Sequence, residues 1–171
     1  SFNFDLIYGL PGQTLAKFRR TLELTLDLKP NRLAVYSYAH VPWVSPVQRS
    51  FADADLPSPE LKLELFKAAY DFLTQNGYRQ IGMDHFARAD DELFTSFSTG
   101  GLHRNFMGYS THADAHQIGL GISGISYVNG NYFQNAKKME AYTASVADKK
   151  LPVIRGYNLD RDDHIRRDLI S

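Results

Sequence analysis

The 171 residues are 43% hydrophobic and 22% charged, the mix of a chain that folds around a core, and this excludes a disordered tail. Lys+Arg and Asp+Glu balance at 19 each, so no overall basic field invites a nucleic acid, and no apolar run reaches the roughly 20 residues of a membrane helix. With no cysteine, the chain has no disulfide, thiolate metal ligand or cysteine nucleophile of its own.

In chain order, residues 2–8 read as a strand, with Phe2, Phe4, Leu6 and Tyr8 on one face and Asn3, Asp5 and Ile7 on the other. The chain opens directly into this strand and closes inside the helix-like DRDDHIRRDLIS, so it is expected to be a segment of a longer protein. Gly9, Pro11 and Gly12 break the strand. Thr14 is placed to cap a helix whose stripe is Leu15, Phe18, Leu22 and Leu26, ended by Pro30. A second strand runs from Arg32 to His40, followed by a loop carrying Pro42 and Pro46. Ser58-Pro59 then starts a second helix, with Leu61, Leu65, Ala68, Phe72 and Leu73 inward and Gly77 as its stop. YRQIGMDHF, residues 78–86, reads as a third strand. Strands separated by helices predict right-handed crossovers and a parallel sheet, either open or an arc of a barrel.

From about residue 91 the rhythm is lost, and the Gly-, Ser-, Thr- and His-rich stretch to His116 reads as a long ordered loop of the kind kept for binding. In IGLGISGISYVNGNYF, residues 118–133, glycines alternate with apolar residues, which suits a strand or a backbone packed close to a ligand. Residues 135–149 read as a helix with Met139, Tyr142 and Val146 on one side, and Asp160 is placed to cap the last one.

Asp5 lies inside an apolar strand, where an unpaired buried carboxylate is costly, and it precedes the Gly9–Gly12 turn at the end where parallel sheets bind ligands. That turn has neither GxGxxG nor GKS/GKT and reads as a plain strand-to-helix turn. His112 and His116 have the spacing of helical metal ligands, but Gly108 and Gly119 argue against a helix there. Asp84-His85 closes the third strand, where an acid–base residue can sit, although a hydrogen-bonded histidine is the plainer reading. Arg104, Arg88 and Arg49 fall in or beside loops of the presumed ligand face, where guanidinium forks suit an acidic substrate. Phe106, Tyr109 and Tyr132 are placed to line a flat apolar ligand.

Taken in order, DLIYGLPGQT, VYSYAHVPW, GMDHFARADDEL, LHRNFMGYSTHADA, IGLGISGIS, YFQN and LDRDDHIRRDLI resemble the oxygen-independent coproporphyrinogen III oxidase family of radical S-adenosylmethionine enzymes. The resemblance implies the later strands of a partial (βα) barrel over residues 1–90, a loop-rich extension over 91–157 and the start of a C-terminal helical domain over 158–171. It implies a reaction in which two propionates of coproporphyrinogen III become vinyls, through a [4Fe-4S] cluster and a deoxyadenosyl radical. Burial would shield that radical from side reactions. By the same resemblance Asp5, Ala39 and Ile125 contact S-adenosylmethionine, and Phe106 and Met107 contact a second molecule of it. Met107 replaces the glutamine of the usual NFQGY and has no amide to offer. Ala89 replaces the proline of ARPDDEL, a change expected to affect loop stiffness only. The cluster-binding CxxxCxxC lies upstream of these residues in the family, so this chain alone is expected to bind no cluster and to be inactive. A protein electron donor, a monomeric state and a cytoplasmic location complete what the resemblance implies. A haem chaperone of the same superfamily is the alternative, but it is expected to carry a pattern like NYARPGHESRHN in the central segment. More remote rivals are a haem-degrading radical methyltransferase and an unrelated barrel lyase.

Overall fold

The computed structural model describes residues 2–105, 108–112 and 116–170. They form two compact units, Ser1–Gly100 and Gly101–Ser171.

In the first unit, β1 (Asn3–Tyr8) leads through the glycine turn into α1 (Leu15–Asp27). The Thr14 side chain accepts a hydrogen bond from the Lys17 backbone N–H, satisfying a helix-end donor as its sequence position predicts. The chain then passes through Lys29, in the left-handed region at φ 51°, and Pro30 into β2 (Arg32–Ser37). The long loop after β2 contains a 3-10 turn at Pro46–Ser50. Next comes α2 (Pro59–Gln75), capped by the Ser58 hydroxyl with Pro59 in its first turn. Gly77, at φ 88°, provides the left-handed residue just past its end.

The third strand departs from the sequence expectation. Residues 78–86 are a hairpin, with β3 (Tyr78–Gln80) turning at 81–84 into β4 (His85–Arg88). The apolar residues on both sides of the turn make the stretch look continuous. Instead Gly82 sits in a bend closed by the Ile81 N–H on the His85 carbonyl, at 2.9 Å, and by the Gln80 amide on the Met83 carbonyl, at 3.0 Å. The sheet order is therefore β1-β2-β4-β3, parallel only between β1 and β2.

The core fills one face of this sheet. Phe18 and Leu22 of α1 and Leu65, Ala69 and Leu73 of α2 pack on Leu33, Val35, Tyr78 and Phe86. Each fully buried leucine contributes about 1.5–3 kcal/mol over an exposed one. The buried Tyr78 hydroxyl donates to the Pro30 carbonyl at 2.6 Å, and burial pushes its pKa above the ordinary phenol value. A short helix, α3 (Glu92–Ser98), follows β4.

In the second unit, β5 (His103–Asn105) pairs antiparallel with β6 (Gly108–Ser110). A three-stranded antiparallel sheet contains β7 (Ile125–Val128), β8 (Asn131–Asn135) and β9 (Val153–Asn158). Between β8 and β9 lies α4 (Met139–Ala147), and α5 (Arg161–Ile170) follows β9. Asp160 caps α5 by accepting from the Asp163 N–H at 2.9 Å, as its position predicts. Among the described residues, no helix is long and apolar enough to cross a membrane.

Candidate functional site

In the first unit the helices cover one sheet face, and the alternation of each strand decides what the other face presents. Phe4, Leu6 and Tyr8 pack toward the core, so Asn3, Asp5 and Ile7 project from the opposite side. Asp5 is exposed there, which corrects the expectation of a buried carboxylate: the strand is apolar on one face only. One Asp5 oxygen accepts a hydrogen bond from the Asn3 amide at 2.6 Å.

Strand register extends this face. Asp5 lies opposite Ala34, and Ala34 lies opposite His85, so these residues form one lateral row across β1, β2 and β4. Two strand spacings put the backbones of Asp5 and His85 roughly 10 Å apart. Ala34 is fully buried and gives the row a small-residue floor. Tyr36, one step further along the same face of β2, meets the His85 ring edge-on, with centroids 6.1 Å apart and planes at 86°. His85 Nδ1 is 2.7 Å from Asp84 Oδ1, so Asp84 can accept its proton and set the ring orientation. Periodicity on β2 was the available signal for Tyr36, which was not among the expected site residues.

Beyond the C-terminal ends of β1 and β2, two glutamines hold the backbone. Gln13 accepts from the Gly9 N–H at 2.6 Å and donates to the Ile7 carbonyl at 3.2 Å. Gln48 accepts from the Val41 N–H at 2.5 Å and donates to the Ala39 carbonyl at 3.2 Å. Ala39 thus sits, exposed, just past the end of the strand beside Asp5's, with its main chain fixed. Arg49 is in the same loop, exposed, and donates to the Pro42 carbonyl at 3.1 Å. Trp43 of this loop is 74% exposed, with Val44 and Val47 similarly uncovered.

Arg88 is elsewhere. Because β4 runs antiparallel to β2, its end lies at the start of β1 and β2, where the Arg88 N–H donates to the Asn31 carbonyl at 3.1 Å. Its guanidinium is bidentate to Asp90, both bonds at 3.0 Å, and it borders a cavity of about 500 Å³ with Lys29, Asn76, Tyr78 and Asp90. The expectation that Arg88 flanks the same loops as Ala39 and Arg49 rested on a parallel third strand and falls with it. Arg32, which sequence reasoning passed over, is anchored by Asp91 and Glu92. Burial works against its charge, but hydrogen bonds to Asp91 and Glu92 and their negative charges outweigh this and raise its pKa above the ordinary arginine value.

In the second unit, Arg104 stacks over the Tyr109 ring, 5.1 Å from its centroid, and donates to the Tyr109 hydroxyl at 3.2 Å. Phe106 and Met107 lie outside the described residues. Ile125 opens β7, directly after a braced turn. The nearly buried Asn135 side chain donates to the carbonyls of Gly119 and Gly121, both at 3.0 Å, and its own N–H donates to Gly124 at 2.9 Å. A Cβ on Gly119 would sit 2.6 Å from the Ile125 backbone and one on Gly124 3.0 Å from the Gly119 backbone, so these two glycines serve close approach of backbone to backbone, whereas Gly121 takes a left-handed φ of 85° in open space. Within residues 118–133, strand is confined to Ile125–Val128 and the first three residues of β8.

In the first unit Asp5 puts an exposed carboxylate in the middle of β1, and Ala39 puts a fixed main chain beyond the end of β2; a carboxylate accepts from hydroxyl or amine hydrogens. Nothing among the 171 residues offers a thiolate, so they do not fit an iron–sulfur cluster of their own. Among the described residues, no group of three or more His, Cys, Asp or Glu is placed to hold a metal ion.

No protein-family model matches the chain. Curated proteins do. It is 49% identical over 171 residues to the oxygen-independent coproporphyrinogen III oxidase of Escherichia coli (strain K12), covering 100% of the chain and 37% of that relative. The enzyme of the same name from Synechocystis sp. is 46% identical, again over 100% of the chain and 37% of the relative. A solved structure of coproporphyrinogen III oxidase from E. coli, described as a radical SAM enzyme, superposes with a TM-score of 0.89 at 49% identity, covering 98% of this chain and 38% of that one. The chain therefore spans 37% of the length of these first relatives.

Proposed function

We propose, from the chain's membership of the oxygen-independent coproporphyrinogen III oxidase family, that it is part of an enzyme converting two propionates of coproporphyrinogen III to vinyls. In each conversion a propionate loses carbon dioxide, a proton and two electrons. The observation that carries this reading is the correspondence of sequence and fold over 98% of the chain at 49% identity.

S-adenosylmethionine and an iron–sulfur cluster supply radical chemistry when bound, and with no cysteine here the cluster's thiolates belong to other residues of the protein. What this segment contributes is binding. Asp5 offers its carboxylate to hydroxyl or amine hydrogens of the cofactor, and Ala39 offers a main chain held by Gln48. Ile125 contributes an apolar contact aimed by the Asn135-braced turn, and Phe106 and Met107 belong to the proposed second S-adenosylmethionine site. Arg104 and Arg49 are the preferred candidates for the substrate carboxylates, and Arg88, paired with Asp90, is ranked last. Residues 1–90 are read as barrel strands, 91–157 as an extension of the catalytic domain, and 158–171 as the start of a helical domain. The whole protein is proposed to work as a cytoplasmic monomer fed by a protein electron donor.

The test is anaerobic turnover by the full-length protein with coproporphyrinogen III, S-adenosylmethionine and a reductant. Protoporphyrinogen IX is the expected product. Stoichiometric haem binding without turnover would instead assign the protein to the haem chaperones.

A further inference from the structure

Ala39 stands between two peptide planes, and a different side chain holds each. The Tyr38 N–H donates to the Tyr8 carbonyl at 2.7 Å, which keeps the chain in step with β1 up to this residue. On the other side of the backbone, the Tyr38 carbonyl accepts from the Lys62 ammonium at 3.4 Å. Lys62 comes from α2, three residues before the buried Leu65, and its stem crosses Gly9, where an added Cβ would lie 3.0 Å from Lys62 Cε. The Ala39 carbonyl accepts from the Gln48 amide at 3.2 Å, and the same side chain accepts from the Val41 N–H at 2.5 Å. Across a planar trans peptide the C=O and N–H point in opposite directions, so holding the Tyr38 carbonyl also aims the Ala39 N–H, and holding the Ala39 carbonyl aims the His40 N–H. Neither N–H has a hydrogen-bond acceptor among the described residues. Two donors beside an exposed residue are thus held in set directions, one through the core helix α2 and one through the loop after β2.

We propose that Lys62 and Gln48 are positioning residues for S-adenosylmethionine, which fix the two peptide planes of Ala39 before the cofactor arrives. The proposal rests on the family reading above, which makes Ala39 a cofactor contact. Neither side chain touches the cofactor in this reading; each acts through the main chain. Ordering a residue's backbone costs entropy, and a site that has met this cost on folding does not meet it again on binding.

The experiment measures S-adenosylmethionine binding by the full-length protein under anaerobic conditions. Lys62→Met keeps an unbranched stem against Gly9 and removes the donor, and Gln48→Leu keeps much of the side-chain volume and removes both bonds. Each is expected to weaken binding by about three- to ten-fold, the worth of the bonds lost. Lys62→Arg, which restores a donor, is expected to recover most of the loss. Hydrogen exchange of the ligand-free protein gives a second readout, in which the Val41 amide of Gln48→Leu exchanges about ten-fold faster than in the wild type. Unchanged cofactor affinity in either variant, even with a lower melting temperature, makes that side chain a structural brace and overturns the proposal. Failure of Lys62→Arg to recover affinity, or unchanged Val41 exchange in Gln48→Leu, overturns it as well. So does a wild type that binds no S-adenosylmethionine. A wild type that binds the cofactor but makes no protoporphyrinogen IX refutes the turnover reading, and the variant series still decides the roles of Lys62 and Gln48.

Discussion

Arg32 and Asp91 are 59 residues apart, yet Nε of the arginine lies 2.9 Å from both oxygens of the aspartate. Asp91 is nearly buried, and the same carboxylate accepts from the Leu93 N–H at 2.8 Å, so it ties the start of β2 and caps α3 at once. Removing it leaves a half-buried guanidinium with only Glu92. Asp91→Ala is expected to cost about 3–5 kcal/mol, the range for breaking a buried pair. Chemical denaturation with a two-state fit checks the value, and Asp91→Asn should lose less because it can still cap.

Ala89 occupies the second position of the turn that the Asp91 N–H closes on the Arg88 carbonyl at 3.0 Å. Proline is favoured at that position, where its fixed φ removes freedom from the unfolded chain. Ala89→Pro is expected to raise stability by about 0.4–1 kcal/mol. A thermal melt that moves downward would show that the Ala89 backbone cannot accept the ring.

Asp5 is exposed, so its neutral isostere should be nearly silent in folding, within about 0.5 kcal/mol. Binding is a different matter. Asp5→Asn in the full-length protein is expected to weaken S-adenosylmethionine by about ten-fold, the loss of one charge-assisted hydrogen bond. Equilibrium binding under anaerobic conditions measures it, and unchanged affinity would leave Asp5 a partner of Asn3 and nothing more.

Asn135 satisfies two carbonyls of the turn before Ile125 through one amide nitrogen. Asn135→Ala strands them and is expected to destabilise by about 1–3 kcal/mol. Gly119→Ala acts on the same turn by steric overlap with the Ile125 backbone and should cost at least as much. Hydrogen exchange of the Ile125 and Ser126 amides would report loosening at the site itself, and unchanged protection in both variants would contradict the bracing role.

Tyr157 donates to Asp163 at 2.8 Å, and this bond raises the phenol pKa and lowers the carboxyl pKa from their ordinary values. The sign follows for each group. Asp163 stabilises the fold above the ordinary carboxyl pKa, and that contribution is lost as pH falls through its depressed folded value. Tyr157 contributes below the ordinary phenol pKa, and its contribution is lost as pH rises through its elevated folded value. Carbon-detected NMR titration should find Asp163 below the other exposed aspartates, and Tyr157→Phe should move it back upward.

What the sequence disclosed and what it hid divide by distance along the chain. The caps at Thr14, Ser58 and Asp160 were readable because a cap is a contact across three residues. The hairpin at 81–84 was not, because buried Ile81 and Phe86 flank its bend and give both arms one continuous apolar signature. The hairpin also sets the position of Arg88, since the direction of β4 decides at which end of the sheet its last residue falls. Asp5, Ala39 and Ile125 came from motif resemblance, whereas Tyr36 beside His85 and Arg32 beside Asp91 are products of register and tertiary packing.

Trp43 is the single tryptophan of the 171 residues, and it stands in water on the loop after β2. Indole emission from this segment therefore reports solvent relaxation around that loop and is nearly blind to the core formed by Leu22, Leu65 and Leu73. A fluorescence melt and a far-ultraviolet circular dichroism melt need not coincide here, and their separation would reflect where the fluorophore sits rather than a populated folding intermediate. The same isolation makes Trp43 a local optical reporter for events at the main chain of Ala39.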